Sequence, residues 1–318
     1  YQSYDNKWLQ LIHKKPSEFS SSKNITSSTK ASLDYYLSVD TLVAIFDDPL
    51  KSYCKHSLKL YFAKHEDEIS DSEPFEVNNL VGYQIKVEML SALIDDKSVD
   101  NVKLHTKLSG KMPESPLTED TNNEYVNNLN KLMTDGGLDS LTKVNLAVNV
   151  GKHSISAQLD TNNADDVVMY SISTKKPKDT LKIYLSTLIK VIHGQQPVSA
   201  KMYFMDTKDK PIKALEMICA ITPQEANDEL LKYITKATEI INAPKLSHIA
   251  LAKAISGIDD ITKKETAWDG AVIDSTGYNY DALEDNEYFN IFYPDATTYH
   301  DFDDMEGLYN KMLESVIE

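Results

Sequence analysis

The sequence predicts an α+β domain whose sheet lies in the middle of the chain, and three observations carry that expectation. Apolar residues recur at three- and four-residue spacing as far as Met133. From Val144 they alternate with polar residues, and from Thr222 the helical spacing returns. The chain has 318 residues, enough for one large domain or two small ones. Hydrophobic residues make up 41% and charged residues 26%, which excludes wholesale disorder.

Residues 1–34 read as a lead-in: a polar-aromatic segment around Tyr4, Trp8, Leu9 and Leu11, then a linker rich in Ser, Thr and Lys. Structure is expected over 35–318, with a helical part over about 35–137, a sheet core over about 140–245 and a C-terminal arm over about 246–318. Asp40 is placed to cap a helix carrying Leu42, Val43, Ile45 and Phe46. Pro49 suits the first turn of a second helix, which would bury Leu50, Tyr53, Cys54, Leu58 and Tyr61. After an acidic loop at 66–76, Val77 to Ile94 has helical spacing. Tyr125 to Met133 is a further helix, stopped by Gly136-Gly137.

The period then changes. Val144, Leu146, Val148 and Val150 alternate, Gly151-Lys152 turns the chain, and Ile155, Ala157 and Leu159 return. A turn at Asn162-Asn163 precedes Val167 to Ile172, completing a three-stranded antiparallel meander. Pro177 and Asp179 open a helix closed by Gly194. A strand pair follows, Val198 to Met205 and Ile212 to Ala220, turning at Asp206 to Pro211. Thr222-Pro223-Gln224-Glu225 combines a capping threonine, a first-position proline and a reciprocal glutamate, so a helix begins there. Phe302, Met305, Leu308, Tyr309, Met312 and Leu313 mark a closing helix. The aromatic run Tyr288 to Tyr293 reads as a buried terminal strand or a partner surface, with base stacking as the competing role.

Charge restricts function. The 33 basic residues, all lysines, face 49 acidic ones, for a net charge of −16. The forked guanidinium that clamps phosphates and reads guanine is missing, and an acidic surface repels a polyanion. On its own the chain is expected to bind nucleic acid weakly or not at all. The two cysteines, Cys54 and Cys219, are too few for a disulfide framework and fit a reducing cytoplasm. No apolar run is long enough for a membrane span and no signal peptide opens the chain; Tyr1 in place of Met points to a fragment of something longer. The eight histidines are scattered without metal-binding spacing, and no glycine-rich phosphate loop is present, so neither zinc nor ATP is expected here.

Helical lead-in, meander, helix and further strand is a layout that resembles the restriction-endonuclease-like, or PD-(D/E)XK, nucleases: a mixed central sheet flanked by helices, here with a helical N-terminal insertion. Their chemistry needs an acid ending the second strand, and an acid and a lysine on the third, to hold Mg²⁺ and orient the attacking water. Asp160 stands where the first acid belongs. The RecB-like branch has glycine three residues earlier, where this chain has Ala157, and Asp-Tyr-Lys where this chain has Met169-Tyr170-Ser171. Ala157, Asp160, Met169 and Ser171 are thus read as degenerate positions, with no catalytic residue and no metal site. The alternative is an active Mg²⁺-dependent RecB- or AddB-type nuclease, which needs an acid and a lysine from elsewhere, such as Asp206 and Lys208, to converge on Asp160.

Several stretches, in order along the chain, are similar to the C-terminal domain of RecC, the gamma subunit of exodeoxyribonuclease V. They are Ser3-Tyr4-Asp5 with Trp8; Asp48-Pro49-Leu50-Lys51-Ser52-Tyr53; Glu73-Pro74-Phe75-Glu76-Val77 with Leu80 and Tyr83-Gln84; Gly110-Lys111-Met112-Pro113; Ala267-Trp268-Asp269-Gly270; and the helix from Phe302 to Leu313. The resemblance implies an inactive nuclease-like domain within a cytoplasmic RecBCD-type complex for DNA repair and recombination. RecB and RecD would be its partners and DNA would be engaged through the assembled complex. Mg²⁺ and ATP would be used elsewhere in the complex, with no cofactor in this fragment.

Overall fold

A computed structural model of the chain describes residues 30–62, 77, 79–110, 112, 117–194, 198–206, 210–273, 283–293, 300 and 302–317. The lead-in at 1–29, the acidic loop at 66–76 and Lys208 lie outside the described residues. Helices precede and follow a mixed sheet, so the α+β expectation holds.

Strand β1 (Tyr36–Ser38) runs directly into helix α1 (Val39–Asp47). The cap is Ser38, whose Oγ accepts from Thr41 N at 3.1 Å. Asp40, expected in that role, stands in the first turn, where a carboxylate meets the positive helix end. Asp48 caps α2 (Pro49–Tyr53), accepting from Lys51 N at 3.0 Å. That helix was expected to bury Tyr61 as well. Instead it widens into a π-helical turn, Cys54–Leu58, and stops at Lys59 in the left-handed region (φ 55°). The wider turn shifts the facing of everything after Cys54, so Leu50, Tyr53 and Cys54 are buried while Tyr61 is exposed.

Helices α3 (Asn79–Ile94), α4 (Val99–Leu108) and α5 (Leu117–Gly136) follow, with Gly137 (φ 57°) ending the last. Helix α4 has no strong apolar stripe, and Thr106 is its one fully buried residue, so its spacing gave little sequence signal.

Strands β2 (Thr142–Val150) and β3 (His153–Thr161) form the expected hairpin, turning at Gly151 (φ 57°) and pairing from Val150↔His153 to Thr142↔Thr161. The second half of the meander is briefer than expected. Strand β4 (Val167–Tyr170) meets β3 at only two positions, Asp160↔Val168 and Thr161↔Val167. It then runs parallel to β5 (Val198–Met205), while β1 takes the vacated edge of β3, also parallel, at Ser154, Ile155 and Ser156. The sheet forks at Asp160. Strand β6 (Pro211–Cys219) pairs antiparallel with β5, and β7 (Val316–Ile317) closes that side.

Helix α6 (Pro177–Ile192) connects the parallel strands β4 and β5 and is buried from Thr180 to Val191, Lys182 excepted. The sheet covers one side of it; α1, α7 (Pro223–Ile240) and α8 (Ile249–Ile255) cover the rest. Helix α7 starts with the expected capping box: Glu225 N donates to Thr222 Oγ1 at 3.2 Å, and Thr222 N donates to Glu225 Oε2 at 2.8 Å. Where these helices meet, Phe46 packs edge-on to Tyr233 (5.5 Å between centroids) and Tyr309 (6.1 Å). The two phenols donate to Leu308 O at 3.1 Å and Ser247 O at 3.0 Å, so their burial leaves no unmet donor. A second apolar cluster covers the opposite face of β4 and β5, where Val168 and Met205 meet Ile85 and Met89 of α3 and Leu129 and Leu132 of α5.

The C-terminal arm holds α9 (Ile261–Val272), α10 (Glu287–Phe292) and α11 (Phe302–Glu314). Helix α10 corrects the expected terminal strand. Asn286 Oδ1 caps it, accepting from Tyr288 N and Phe289 N, and Phe289 and Phe292 point inward at i and i+3.

Phe46→Ala is expected to cost about 3–5 kcal/mol, because the hole it leaves is walled by rigid rings and cannot collapse. Denaturant unfolding of both proteins checks this, and a loss below about 1 kcal/mol would mean the site relaxes freely.

Candidate functional site

The fork in the sheet brings the sequence-derived positions together only in part. Along β3, residues at 153, 155, 157, 159 and 161 face the main core, and those between them face the other way. Ala157 is therefore buried in the main core opposite Leu146, while Asp160 looks out on the other side, half-buried. Pairing of Asp160 with Val168 puts Val168 and Tyr170 on the Asp160 face and turns Met169 into the main core beside Met202. Ser171 lies just past the strand, its N–H donating to Tyr203 O at 2.9 Å and its hydroxyl 2.9 Å from that of Ser173. Asp160 thus shares a face with Tyr170, not with Met169.

The surroundings of Asp160 are two lysines and a phenol. Lys143 is its register partner on β2 and Lys182 reaches from α6; both favour the carboxylate, yet burial outweighs them and the carboxyl titrates above its ordinary range. Tyr170 is held above its ordinary value by burial first and by the Asp160 charge second. Beside Ala157 lies an open cavity of about 440 Å³, lined in part by Asp40, Asn145, Gln158 and Lys182. Lys182 is tied there to Asp40 at 2.7 Å. Sequence reasoning passed over Lys143, although the signal was present. A two-residue turn at Gly151-Lys152 fixes the hairpin register and sets position 143 opposite 160.

The acids of the β3–β4 turn are committed to lysines. Lys190 of α6, its side chain only 5% exposed, binds Asp165 Oδ1 at 2.8 Å and also donates to Asp165 O. Asp166 binds Lys201 of β5 at 2.7 Å and accepts from Asn162 Nδ2 at 3.1 Å. Burial pushes the Asp166 carboxyl up, but hydrogen bonds from Lys201, Asn162 and Ser199 pull it below the ordinary range. Among the described residues, no three His, Cys, Asp or Glu side chains cluster so as to hold a metal ion.

Asp206 does not approach Asp160. It follows β5, five residues beyond the level of Lys201, or ~16 Å further along the strand direction. There it is engaged within its own turn, accepting from Lys210 N at 2.8 Å. Cys54 is a core thiol, as read from the sequence: burial first, then Asp48, push it up to about 11, so it stays protonated at neutral pH. The aromatic run of α10 is held by its neighbours. Tyr288 OH accepts from Phe62 N at 3.1 Å and Tyr293 OH donates to Pro244 O at 3.3 Å. In the α9 stretch Ala267 to Gly270, Trp268 is fully buried against the rings of His300 and Phe302.

Two substitutions should move stability in opposite directions. The Asp166 carboxyl is lowered by folding, so it stabilises above its unfolded value, and that contribution is lost as pH falls through the folded value. Asp166→Asn is expected to cost about 1–3 kcal/mol at pH 7, and less on acidification. The Asp160 carboxyl is raised, so its ionisation opposes folding at pH above the folded value. Asp160→Asn is expected to leave stability unchanged or raise it at pH 7, with the difference fading toward pH 4. Urea unfolding of both variants at the two pH values is the check; a large loss for Asp160→Asn at pH 7 would contradict it.

A family model described as the RecC C-terminal domain matches residues 36–256, from β1 to the end of α8. Three proteins named RecBCD enzyme subunit RecC are similar to the chain. That of Buchnera aphidicola is 25% identical over 181 residues, covering 54% of this chain and 16% of its own. That of Haemophilus influenzae is 19% identical over 259 residues, covering 78% and 23%. That of Escherichia coli is 27% identical over 115 residues, covering 35% and 10%. The aligned region is thus less than a quarter of the length of each of these curated relatives. With the family model matched across both edges of the sheet fork and over most of the described residues, the chain belongs to the RecC C-terminal domain family.

Proposed function

We propose that this chain is a noncatalytic structural and strand-guiding domain of a RecBCD-type helicase–nuclease, exodeoxyribonuclease V, working in double-strand-break repair and homologous recombination in the bacterial cytoplasm. Its core is read as restriction-endonuclease-like, with the helical part at 35–137 as an insertion and the arm at 246–318 as an addition. RecB and RecD subunits are its partners, and DNA is engaged through the complex they form. Mg²⁺ and ATP act on other parts of that complex.

One observation carries the noncatalytic reading. The acid at the fork, Asp160, is matched by Lys143, Lys182 and Tyr170, and the third-strand positions hold Met169, turned into the core, and Ser171. A lone carboxylate with two ammonium neighbours has no second oxygen donor with which to grip Mg²⁺. Neither a thioether nor a hydroxyl replaces a carboxylate for that hard cation. The remaining charge agrees: at −16 and without arginine, the isolated chain lacks the electrostatic term that dominates DNA affinity.

Two measurements test this. The 318-residue chain, incubated with single- and double-stranded DNA and Mg²⁺ or Mn²⁺, is expected to cut neither and to co-purify with RecB- or RecD-type subunits. Cleavage that disappears on Asp160→Ala would overturn the noncatalytic reading, and failure to associate with either subunit would overturn the scaffold.

A further inference from the structure

A second cavity, of about 460 Å³, opens where the first turn of α6 meets α8, α11 and the β6–β7 side of the sheet. It shares no lining residue with the cavity beside Ala157 and owes nothing to the reading of Asp160. Its floor is aliphatic: Leu215, Ile249, Met312, Leu313 and Val316. Its polar groups are Lys175, Lys253, Thr180 and Ser256, with Pro177 completing the wall. None of the described lining residues is acidic, although acids outnumber lysines 49 to 33 along the chain.

Thr180 singles this cavity out. The residue is 5% exposed, and its hydroxyl makes no hydrogen bond among the described residues. A helical threonine commonly bonds the carbonyl four residues back, as Thr187 of the same helix does to Ile183 O at 2.7 Å, whereas the Thr180 hydroxyl is left to the cavity it lines. Lys253, at the cavity edge, makes no ion pair among the described residues. Asp179, in the same first turn, is already engaged, accepting from Lys176 N at 2.8 Å. An ammonium and a hydroxyl without partners at the cavity, above an aliphatic floor, call for an anion with an apolar body.

A nucleotide fits poorly. Among the described residues no aromatic ring lines the cavity for a base to stack on, and no guanidinium is present to clamp a phosphate. A carboxylate beside an aliphatic side chain, the chemistry of a polypeptide's last residue, matches both halves. We infer that this cavity docks the C-terminal residue of a partner polypeptide, with the carboxylate between Lys253 and the Thr180 hydroxyl and the side chain over Leu215 and Met312.

The test uses the whole chain labelled with ¹³C at the methionine methyl groups, the Met312 signal being assigned with Met312→Leu. The probe is N-acetyl-Ala-Leu-Leu with a free carboxylate. It is expected to shift the Met312 methyl saturably below about 5 mM, and its C-terminal amide to bind about tenfold or more weakly. Lys253→Glu, at an exposed position that leaves the fold untouched, is expected to weaken the acid about tenfold and the amide little. No saturable shift of Met312, or an equal response to acid and amide, overturns the inference. A single-stranded oligonucleotide that moves Met312 at lower concentration than the peptide overturns it in favour of nucleic acid.

Discussion

The burial of Lys190 organises the middle of the fold. Helix α6 is enclosed from Thr180 to Val191 apart from Lys182, with the sheet on one side and α1, α7 and α8 around the rest. A helix placed like that is expected to be apolar throughout, yet it carries an ammonium near its end, with only 5% of the side chain exposed. A buried charge left unpaired costs several kcal/mol, so the chain must bring it an anion. That anion is Asp165, which meets Lys190 with both its carboxylate and its backbone carbonyl. Asp165 does so in the left-handed region (φ 64°), where aspartate is among the more tolerated side chains. The β3–β4 turn is thereby fixed to α6, and through Asp166 and Lys201 to β5. With the turn pinned at both ends, β4 is drawn toward β5 and leaves β3 after two residue pairs. The fork at Asp160 follows from that pin.

The fork also explains a local composition. Strand β4 reads Val-Val-Met-Tyr with no polar alternation, as strands covered on both faces do. Val167 and Met169 meet the main core, while Val168 and Tyr170 meet the second cluster made with α3 and α5. Helices α3 and α5 therefore cap a sheet face that would otherwise expose apolar side chains. It also buries Asp160 enough to raise its carboxyl despite Lys143 and Lys182.

What the sequence discloses and what it hides divide along locality. The hairpin at Gly151, the capping box at Thr222 and Glu225 and the stop at Gly137 depend on neighbours a few residues apart, and each stands where the pattern puts it. The π-helical turn after Tyr53 depends on tertiary packing, and it exposes Tyr61 against the periodicity. Helix α10 replaces an expected strand because the aromatic run fits either period. Asn286, which caps the helix, also donates to Asp48 Oδ2 at 3.0 Å, a contact 238 residues away in sequence. At the candidate site, Asp160 and its strand are legible from alternation, and Lys143 from the hairpin register. Lys182, Lys190 and Lys201 are not, since they arrive from elements whose docking no spacing encodes.

On the proposed noncatalytic reading, the geometry adds a constraint to the one set by residue identity. Replacing Met169 with aspartate and Ser171 with lysine would restore the third-strand pattern of an active relative in sequence. In this fold the new carboxylate at 169 would stand beside Met202 in the main core, across the sheet from Asp160. Partly buried against that core, it would be held toward its protonated form and would not share a face with Asp160. An acid sharing a face with Asp160 would have to occupy 168 or 170. Val168 is 4% exposed in the second cluster, and Tyr170 packs against that cluster while facing Asp160. The face that a metal would need is filled by the cluster made with α3 and α5. The packing that gives the chain its helical cap thus leaves no room on that face for a second acid beside Asp160, and the proposed scaffold role demands only that the cap stay in place.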